Sequence, residues 1–527
     1  MSLKAIICDK LREEGLEVLR GYGIEPVVAT GADPGELAAM IGDFDAAIVR
    51  SRTRIGADTL QRPGNLKVIG RAGTGVDNID IAAATRLGIV VMNAPGANSL
   101  AAAEHTLALM LALSRHVARA DRLTRQGCWG RESFMGDELH NRVLGIIGMG
   151  NVGRLVCERA RAFKMEILAY DPFLPPETTT RRGAQPVALD ELLARSDYIS
   201  VHTPLTSETR NLLDARALSM VKDGVRIINC ARGGIIDESA LHAAIVSGRV
   251  AGAALDVFNR EPPTGNPLLD LEQVVVTPHL GASSRQAQIK VARAIAEQIA
   301  QYLIAGTVCN AVNLPPISAQ QMEDLGPWLV LAEKLGSFQA QTFPGAIAEV
   351  EIEYAGELAA QDTAPLGCAV LKGLLSPFLA QHVTLVNAPV LAKERGIRVL
   401  ELTSAEAPDY SSLLSVRLGA AGYSTAVAGS VFGRKELRIV RIGELRTEAT
   451  PTGNILFIRN YDRPGVVGGV GTTLAQYKIN IAKMHLGRSD MGGIAVCLVQ
   501  VDGEVPEAAL AAVQGLPEVI SAQVVRL

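Results

Sequence analysis

Aromatic side chains make up only 4% of the 527 residues, and two of them are tryptophan. A core with so few rings is built from Ala, Val, Leu and Ile, which suits buried parallel strands and close-packed helices. No apolar run approaches the ~18 residues of a membrane span. The opening Met1-Ser2-Leu3-Lys4-Ala5-Ile6-Ile7 lacks the layout of a signal peptide and reads as a first strand. Net charge is −4 with no basic block, which argues against a nucleic-acid surface. The seven cysteines are scattered and include no CxxC pair. They fit reduced thiols in a cytoplasm and predict neither disulfides nor a metal site. What remains is an ordinary α/β composition, 48% hydrophobic and 20% charged, long enough for two to four domains.

The most informative stretch is Val143 to Asp171. An apolar run, Val143-Leu144-Gly145-Ile146-Ile147, leads into Gly148-Met149-Gly150-Asn151-Val152-Gly153. A helical pattern follows to about Phe163, then a second apolar run that ends at Asp171. A GxGxxG alone is expected by chance about 0.5 times in a chain this glycine-rich, so its weight comes from the flanking strands and helix. Gly148 allows the tight turn, Gly150 lets the backbone approach a pyrophosphate, and Gly153 lets the helix pack on its strand. The helix start offers unpaired N–H groups to phosphate. Asp171, 18 residues past Gly153, suits the adenosine ribose and repels a 2′-phosphate, which favours NAD over NADP.

The rest of the chain predicts four units. Residues 1–97, completed by 285–313, read as an alternating βα substrate-binding domain of flavodoxin type. Residues 98–284 read as a Rossmann-type, doubly wound NAD domain inserted into it. A long helix is expected from Asn98 to Arg125, capped by Asn98 or Ser99. Residues 317–450 read as an α+β intervening domain, set off by Leu314-Pro315-Pro316. Residues 453–527 carry a βαββαβ order, the ferredoxin-like arrangement.

Polar residues collect where strands of both α/β units should end, the place where open α/β sheets bind ligands. They include Arg50, Arg52 and Arg54 after one strand, Arg71 and Gly73 after the next, then His202, Arg232, Asp256 and His279. Hydride transfer at a hydroxyl carbon needs a base, a group that orients it, and a cation for the substrate. His279, Glu261 and Arg232 can fill these roles. From the residues alone, His279 reads equally as a capping histidine, Glu261 as a solvated loop acid and Arg232 as a helix-entry charge. His202 is a rival base, and the arginines of residues 50–54 read also as solvated loop charges.

These motifs together resemble the D-isomer-specific 2-hydroxyacid dehydrogenases. The resemblance rests on Gly148-Met149-Gly150-Asn151-Val152-Gly153 with Asp171, on Asn229-Cys230-Ala231-Arg232-Gly233-Gly234, on Asp256-Val257-Phe258-Asn259-Arg260-Glu261-Pro262 and on Thr277-Pro278-His279. Arg232, Glu261 and His279 stand in the family's catalytic order, which implies that His279 is the acid/base. His202 then matches a position near the cofactor. The resemblance implies further NAD contacts at Thr74, Asn151, Val152, Thr203, Cys230, Ala231, Asp256, Gly281 and Ala282.

Gly70-Arg71-Ala72-Gly73-Thr74-Gly75, Phe134-Met135-Gly136-Asp137-Glu138-Leu139 and His279-Leu280-Gly281-Ala282-Ser283 are similar to the family's long-form branch, and so is the layout of all 527 residues. That branch oxidises 3-phosphoglycerate to 3-phosphohydroxypyruvate, the first step of serine synthesis. The resemblance implies Arg71, Gly73 and Arg232 at the substrate carboxylate, and Arg131 with Arg50, Arg52 or Arg54 at the phosphate. It implies a C-terminal ACT domain with Asn460, Asp462 and Asn480 at a serine effector site, and a homodimer or homotetramer. The readings set against it are a hydroxypyruvate or glyoxylate reductase of the same superfamily, which lacks the C-terminal domains, and a non-catalytic NAD-sensing scaffold.

Overall fold

Five short strands open the chain: β1 (Lys4–Ile7), β2 (Glu25–Val28), β3 (Ala46–Val49), β4 (Val68–Arg71) and β5 (Val90–Asn93). In the computed structural model, which describes residues 2–420, 422–433 and 435–527, they pair in parallel in the order β2-β1-β3-β4-β5. This is the flavodoxin order. β3 is buried at every position, as an apolar strand covered on both faces should be. One cover is the helix Arg285–Ala305, whose Ile295 and Ile299 join Ala5, Ile7 and Val68 in one core. The helix starts on Ser284, whose Oγ accepts from Ala287 N, and ends at Gly306 in the left-handed region. Its approach is close enough that a Cβ on Gly70 would lie 2.5 Å from Ile299 Cδ1.

The second sheet holds β6 (Val143–Ile147), β7 (Glu166–Tyr170), β8 (Gln185–Pro186), β9 (Tyr198–Val201), β10 (Val225–Asn229), β11 (Val250–Leu255) and β12 (Val274–Val276). All its pairings are parallel, in the order β12-β11-β10-β9-β6-β7-β8. The strand order reverses beside β6, so the crevice at its carboxyl end opens where the glycine loop begins.

The single helix expected from Asn98 to Arg125 is two. One spans Ser99–Ser114 and the other Val117–Arg125, with His116 between them at φ 51°. The break frees the carbonyl of Ser114 to accept from Asp137 N at 3.0 Å. Gly136 seats there so tightly that a Cβ would meet that carbonyl oxygen at 2.5 Å. Nor does Asn98 cap the first helix with its side chain, because its Oδ1 accepts from Thr74 Oγ1 instead.

The third sheet is mixed: β13 (Glu349–Gly356), β14 (Arg398–Ser404), β15 (Ser412–Ala420), β16 (Tyr423–Phe432), β17 (Glu436–Ile442) and β18 (Leu445–Ala449). β13 and β14 run parallel and the other neighbours antiparallel. The helices Ala319–Thr342 and Ala364–Leu375 cover one of its faces. The last sheet holds β19 (Asn454–Tyr461), β20 (Ile481–Arg488), β21 (Ile494–Val501) and β22 (Val519–Arg526) in the antiparallel order β20-β21-β19-β22, the ferredoxin-like topology. The helix Ala319–Thr342 joins the two sheets. Its Phe338 stacks edge-on against Phe457, and Gln341 makes two hydrogen bonds to the backbone of Arg526. Among the described residues, no helix is long and apolar enough to cross a membrane.

Candidate active site

The glycine loop is built by close contacts. Gly148 leaves β6 at φ 92°, and its N–H donates to Tyr170 O. A Cβ on Gly153 would lie 2.0 Å from Gly148 O, so the helix Asn151–Ala162 can reach its strand only with glycine there. A Cβ on Gly150 would meet nothing within 4 Å, and the helix that starts beside it at Asn151 has no side-chain cap for its first N–H groups. Beside Gly148, where a Cβ would lie 2.9 Å from Thr203 Cγ2, the buried Thr203 Oγ1 has no partner in the protein. Asp171 accepts from Met149 N at 2.9 Å and Phe173 N at 3.0 Å, which ties the loop to the end of β7. An open cradle, a helix start, an unpartnered hydroxyl and a carboxylate suit a dinucleotide with no 2′-phosphate.

Loops at the other strand ends converge on this crevice. The buried Asn229 accepts from Ala231 N and donates to Arg232 O, fixing the turn that carries Cys230, Ala231 and Arg232. The Cys230 thiol is pushed up to about 12, by burial first and then by Asp256, so it stays protonated. Arg232 Nε lies 3.3 Å from Asp77 Oδ2. Asp256 is fully buried and accepts from Leu280 N and Gly281 N. His279 directly precedes these two residues in the chain, with φ 57°. Its Nδ1 is 2.7 Å from Glu261 Oε2, and both side chains are partly open to solvent.

His202 is turned elsewhere. Its Nε2 lies 2.9 Å from Ser200 Oγ, and burial pushes its imidazole down to about 4. It is therefore neutral at physiological pH.

A cleft next to His279 is lined by Lys10, Arg12, Arg50, Arg71, Gly73, Ala282 and Gln288, among others. Arg71 is the most enclosed of its cations. It is pushed down to about 10, by burial first and then by Arg232 and Arg50. Its Nε is buried without a partner. Gly73 makes room for it, since a Cβ there would fall 1.4 Å from Arg71 Nη1. Gly75 does the same for Arg232, whose Nη2 would lie 2.0 Å from a Cβ. Arg50 is held by two side chains. Asp9 accepts from the N–H groups of Arg50 and Thr53, and Asn78 donates to both their carbonyls.

Several expected residues lie outside this group. Arg52 and Arg54, on the same loop as Arg50, do not line the cleft. Arg131 is exposed on the short turn Arg131–Phe134 and does not line the cleft. Lys10, Arg12 and Gln288 enter it instead. Lys10 and Arg12 follow the end of β1, so the strand-end rule that singled out Arg50 and Arg71 applies to them as well.

In the last sheet Asn460 is buried, with Oδ1 unpartnered, and Asp462 pairs with Arg488 at 2.8 Å. Asn480 is not beside them. It bonds Asp502 at the end of the sheet where Asn454 lies, while Asn460 and Asp462 are at the other end of β19.

Known proteins share the order of domains. Residues 107–281 match the D-isomer specific 2-hydroxyacid dehydrogenase NAD binding domain, 324–443 the D-3-phosphoglycerate dehydrogenase intervening domain, and 454–518 the ACT domain. A D-3-phosphoglycerate dehydrogenase of Archaeoglobus fulgidus is 43% identical over 528 residues and covers 100% of both chains. That of Methanocaldococcus jannaschii is 40% identical over 526 residues, again covering 100% of both. A solved glyoxylate reductase from Paecilomyes thermophila superposes with a TM-score of 0.55 at 30% identity, but its 98% coverage reaches only 59% of this chain. The intervening and ACT regions therefore separate the chain from such reductases, and full-length identity to both archaeal enzymes makes it a member of the D-3-phosphoglycerate dehydrogenase family.

Proposed function

We propose that this NAD-dependent dehydrogenase oxidises the 2-hydroxyl of 3-phospho-D-glycerate to 3-phosphohydroxypyruvate, opening serine synthesis. The observation that carries the substrate is the cationic cleft beside His279. Lys10, Arg12, Arg50 and Arg71 line it, and Arg71 keeps a buried N–H unpaired. Like charges held this close repel one another, and Arg232 and Arg50 already depress Arg71. A phosphate dianion relieves that repulsion and uses several cations at once. D-glycerate or D-lactate would leave part of the cluster unpaired.

In this reading Arg232 and Arg71 hold the carboxylate, with Gly73 leaving the space. Glu261 accepts from His279 Nδ1–H, which leaves Nε2 free to take the hydroxyl proton, a tautomer inferred from the 2.7 Å contact. Glu261 then stabilises the imidazolium. Bound NAD supplies the hydride acceptor. Gly148, Gly150, Asn151, Val152 and Gly153 would hold its pyrophosphate, Asp171 its ribose, and Thr74, Thr203, Cys230, Ala231, Asp256, Gly281 and Ala282 its nicotinamide half.

The C-terminal ACT region supports an L-serine effector site at Asn460 and Asp462, because the buried Oδ1 of Asn460 lacks a partner. Asn480 belongs to that site only when a second copy supplies it, which fits the proposed homo-oligomer. The unpaired cysteines suit a reducing cytoplasm. NADH formation with 3-phosphoglycerate, D-glycerate and D-lactate, each with and without L-serine, tests the whole reading. Turnover confined to the phosphorylated acid is expected, and equal turnover of D-glycerate would overturn it.

A further inference from the structure

Asp256 holds the segment after β12 at three consecutive N–H groups. Its backbone carbonyl accepts from His279 N at 2.9 Å, and its carboxylate accepts from Leu280 N at 2.6 Å and Gly281 N at 2.8 Å. Thr277 Oγ1 donates to the same carboxylate at 2.6 Å. These bonds surround His279, a non-glycine residue at φ 57°. Such a backbone persists only where its surroundings over-determine it.

One more donor comes from a separate element. His105, on the helix Ser99–Ser114, places Nε2 3.2 Å from Asp256 Oδ1 and 3.1 Å from Thr277 Oγ1. The Thr277 hydroxyl spends its hydrogen on Asp256, so its oxygen is free to accept. Nε2 must then carry the proton and share it between the two. Burial works against the charged form of Asp256. The hydrogen bonds outweigh it and hold the carboxyl below its ordinary range, with that from His105 first among them.

We infer that His105 is a positioning residue for the dehydrogenase reaction, acting through Asp256 and Thr277 to fix the left-handed turn that aims His279 at the substrate hydroxyl. Without its N–H, a fully buried carboxylate loses a partner and competes for others. The turn loosens at the base. A small error in aim is costly, because proton and hydride transfer both need near-attack geometry. Binding of the substrate, made by Arg71 and Arg232, changes little.

The test compares full-length His105→Leu and His105→Gln with wild type, using substrate carrying hydrogen or deuterium at C2. In His105→Leu, kcat should fall about 10–100-fold while KM for the hydroxy-acid substrate stays within about threefold. The deuterium isotope effect on kcat should rise, because the chemical step becomes more rate-limiting. His105→Gln, with an amide N–H at similar reach, should recover most of the rate. A His105→Leu enzyme with kcat within twofold of wild type would overturn the inference. So would a lower kcat with an unchanged isotope effect and no recovery in His105→Gln, since that pattern reports only a smaller folded fraction. The inference rests on the dehydrogenase reading but not on the substrate. Variant and wild type are compared on whichever D-2-hydroxy acid the wild type oxidises, so failure with 3-phosphoglycerate counts against the substrate alone. A wild type that oxidises none of them removes both.

Discussion

His279 Nδ1 lies 2.7 Å from Glu261 Oε2, although the two residues belong to different loops and both side chains are partly solvent-exposed. Glu261 is itself anchored, since its Oε1 accepts from Phe258 N at 3.2 Å. A base oriented this way transfers protons from one nitrogen only. His279→Ala should lower kcat by about 10²–10⁴. Glu261→Gln, which keeps a polar group but loses the charge, should lower it less. NADH affinity, followed by fluorescence, should be unchanged in both. Full turnover in His279→Ala would remove His279 as the base.

Arg71 and Gly73 form a second pair with a sharp consequence. A Cβ on Gly73 would fall on the Arg71 guanidinium, so Gly73→Ala must push that cation out of the cleft without altering any charge. Loss of a charge-assisted hydrogen bond costs about 1.5–3 kcal/mol, which is roughly 10–100-fold in KM for 3-phosphoglycerate. KM for NAD should stay as in wild type. An unaltered KM for 3-phosphoglycerate would show that Arg71 does not bind the substrate.

Asp171 has two tasks that one substitution can separate. Its oxygens accept from Met149 N and Phe173 N, and its charge stands at the carboxyl end of β7, beside the glycine loop. Asp171→Asn keeps an acceptor for Met149 N and removes the charge that repels a 2′-phosphate. The ratio of kcat/KM for NAD over NADP should fall, with little change in thermal stability. Asp171→Ala should lose both the ratio and some stability. If Asp171→Asn keeps the wild-type ratio, the cofactor preference has another origin.

The first two sheets were legible because parallel strands announce themselves as short apolar runs, and because ligand-binding groups cluster at their carboxyl ends. That rule identified Arg50, Arg71, Arg232 and His279. It applied equally to Lys10 and Arg12, which carry no motif and were passed over. The break at His116 was invisible because Leu and Ala continue on both sides, and what ends the first helix is Gly136, distant in sequence, packing on Ser114. Choosing among Arg50, Arg52 and Arg54 also needed tertiary facts. The loop register is set by Asp9 and Asn78, which bind the backbone of Arg50 and Thr53. Asn480 and Asn460 are far apart because β19 and β20 both run antiparallel to β21, which puts the start of β20 at the opposite end of the sheet from the close of β19.

His202 gives a prediction about pH. Its imidazole is pushed down to about 4 by burial, against an ordinary value of 6.5. The unfolded chain therefore binds more protons than the folded one between those values. Stability contributed by neutral His202 is fully present above pH 6.5, falls as pH drops below it, and is lost by about 4. His202→Gln should weaken this dependence. The difference in Tm between pH 7 and pH 4.5, measured without cofactor, should be smaller in the variant. Parallel Tm curves would mean that His202 is freely solvated.

The junction after the helix Arg285–Ala305 predicts where the chain can be cut. Leu314 and Ile317 are buried in the core of the first sheet, and Val308 pairs with Ile317 through two backbone hydrogen bonds. A stop after Asn313 removes both side chains, whereas a stop after Ser318 keeps them. Each buried aliphatic side chain contributes about 1.5–3 kcal/mol, so the two truncations should differ by about 3–6 kcal/mol in unfolding free energy. Both expose the seat of Val386, which packs on the same core, so both should be less stable than the full chain. The longer fragment should remain folded and turn over substrate without response to serine. Equal denaturant midpoints for the two fragments would show that residues 314–318 detach from the first sheet once the rest of the chain is gone. The Leu314 and Ile317 contacts would then depend on the intervening region for their support.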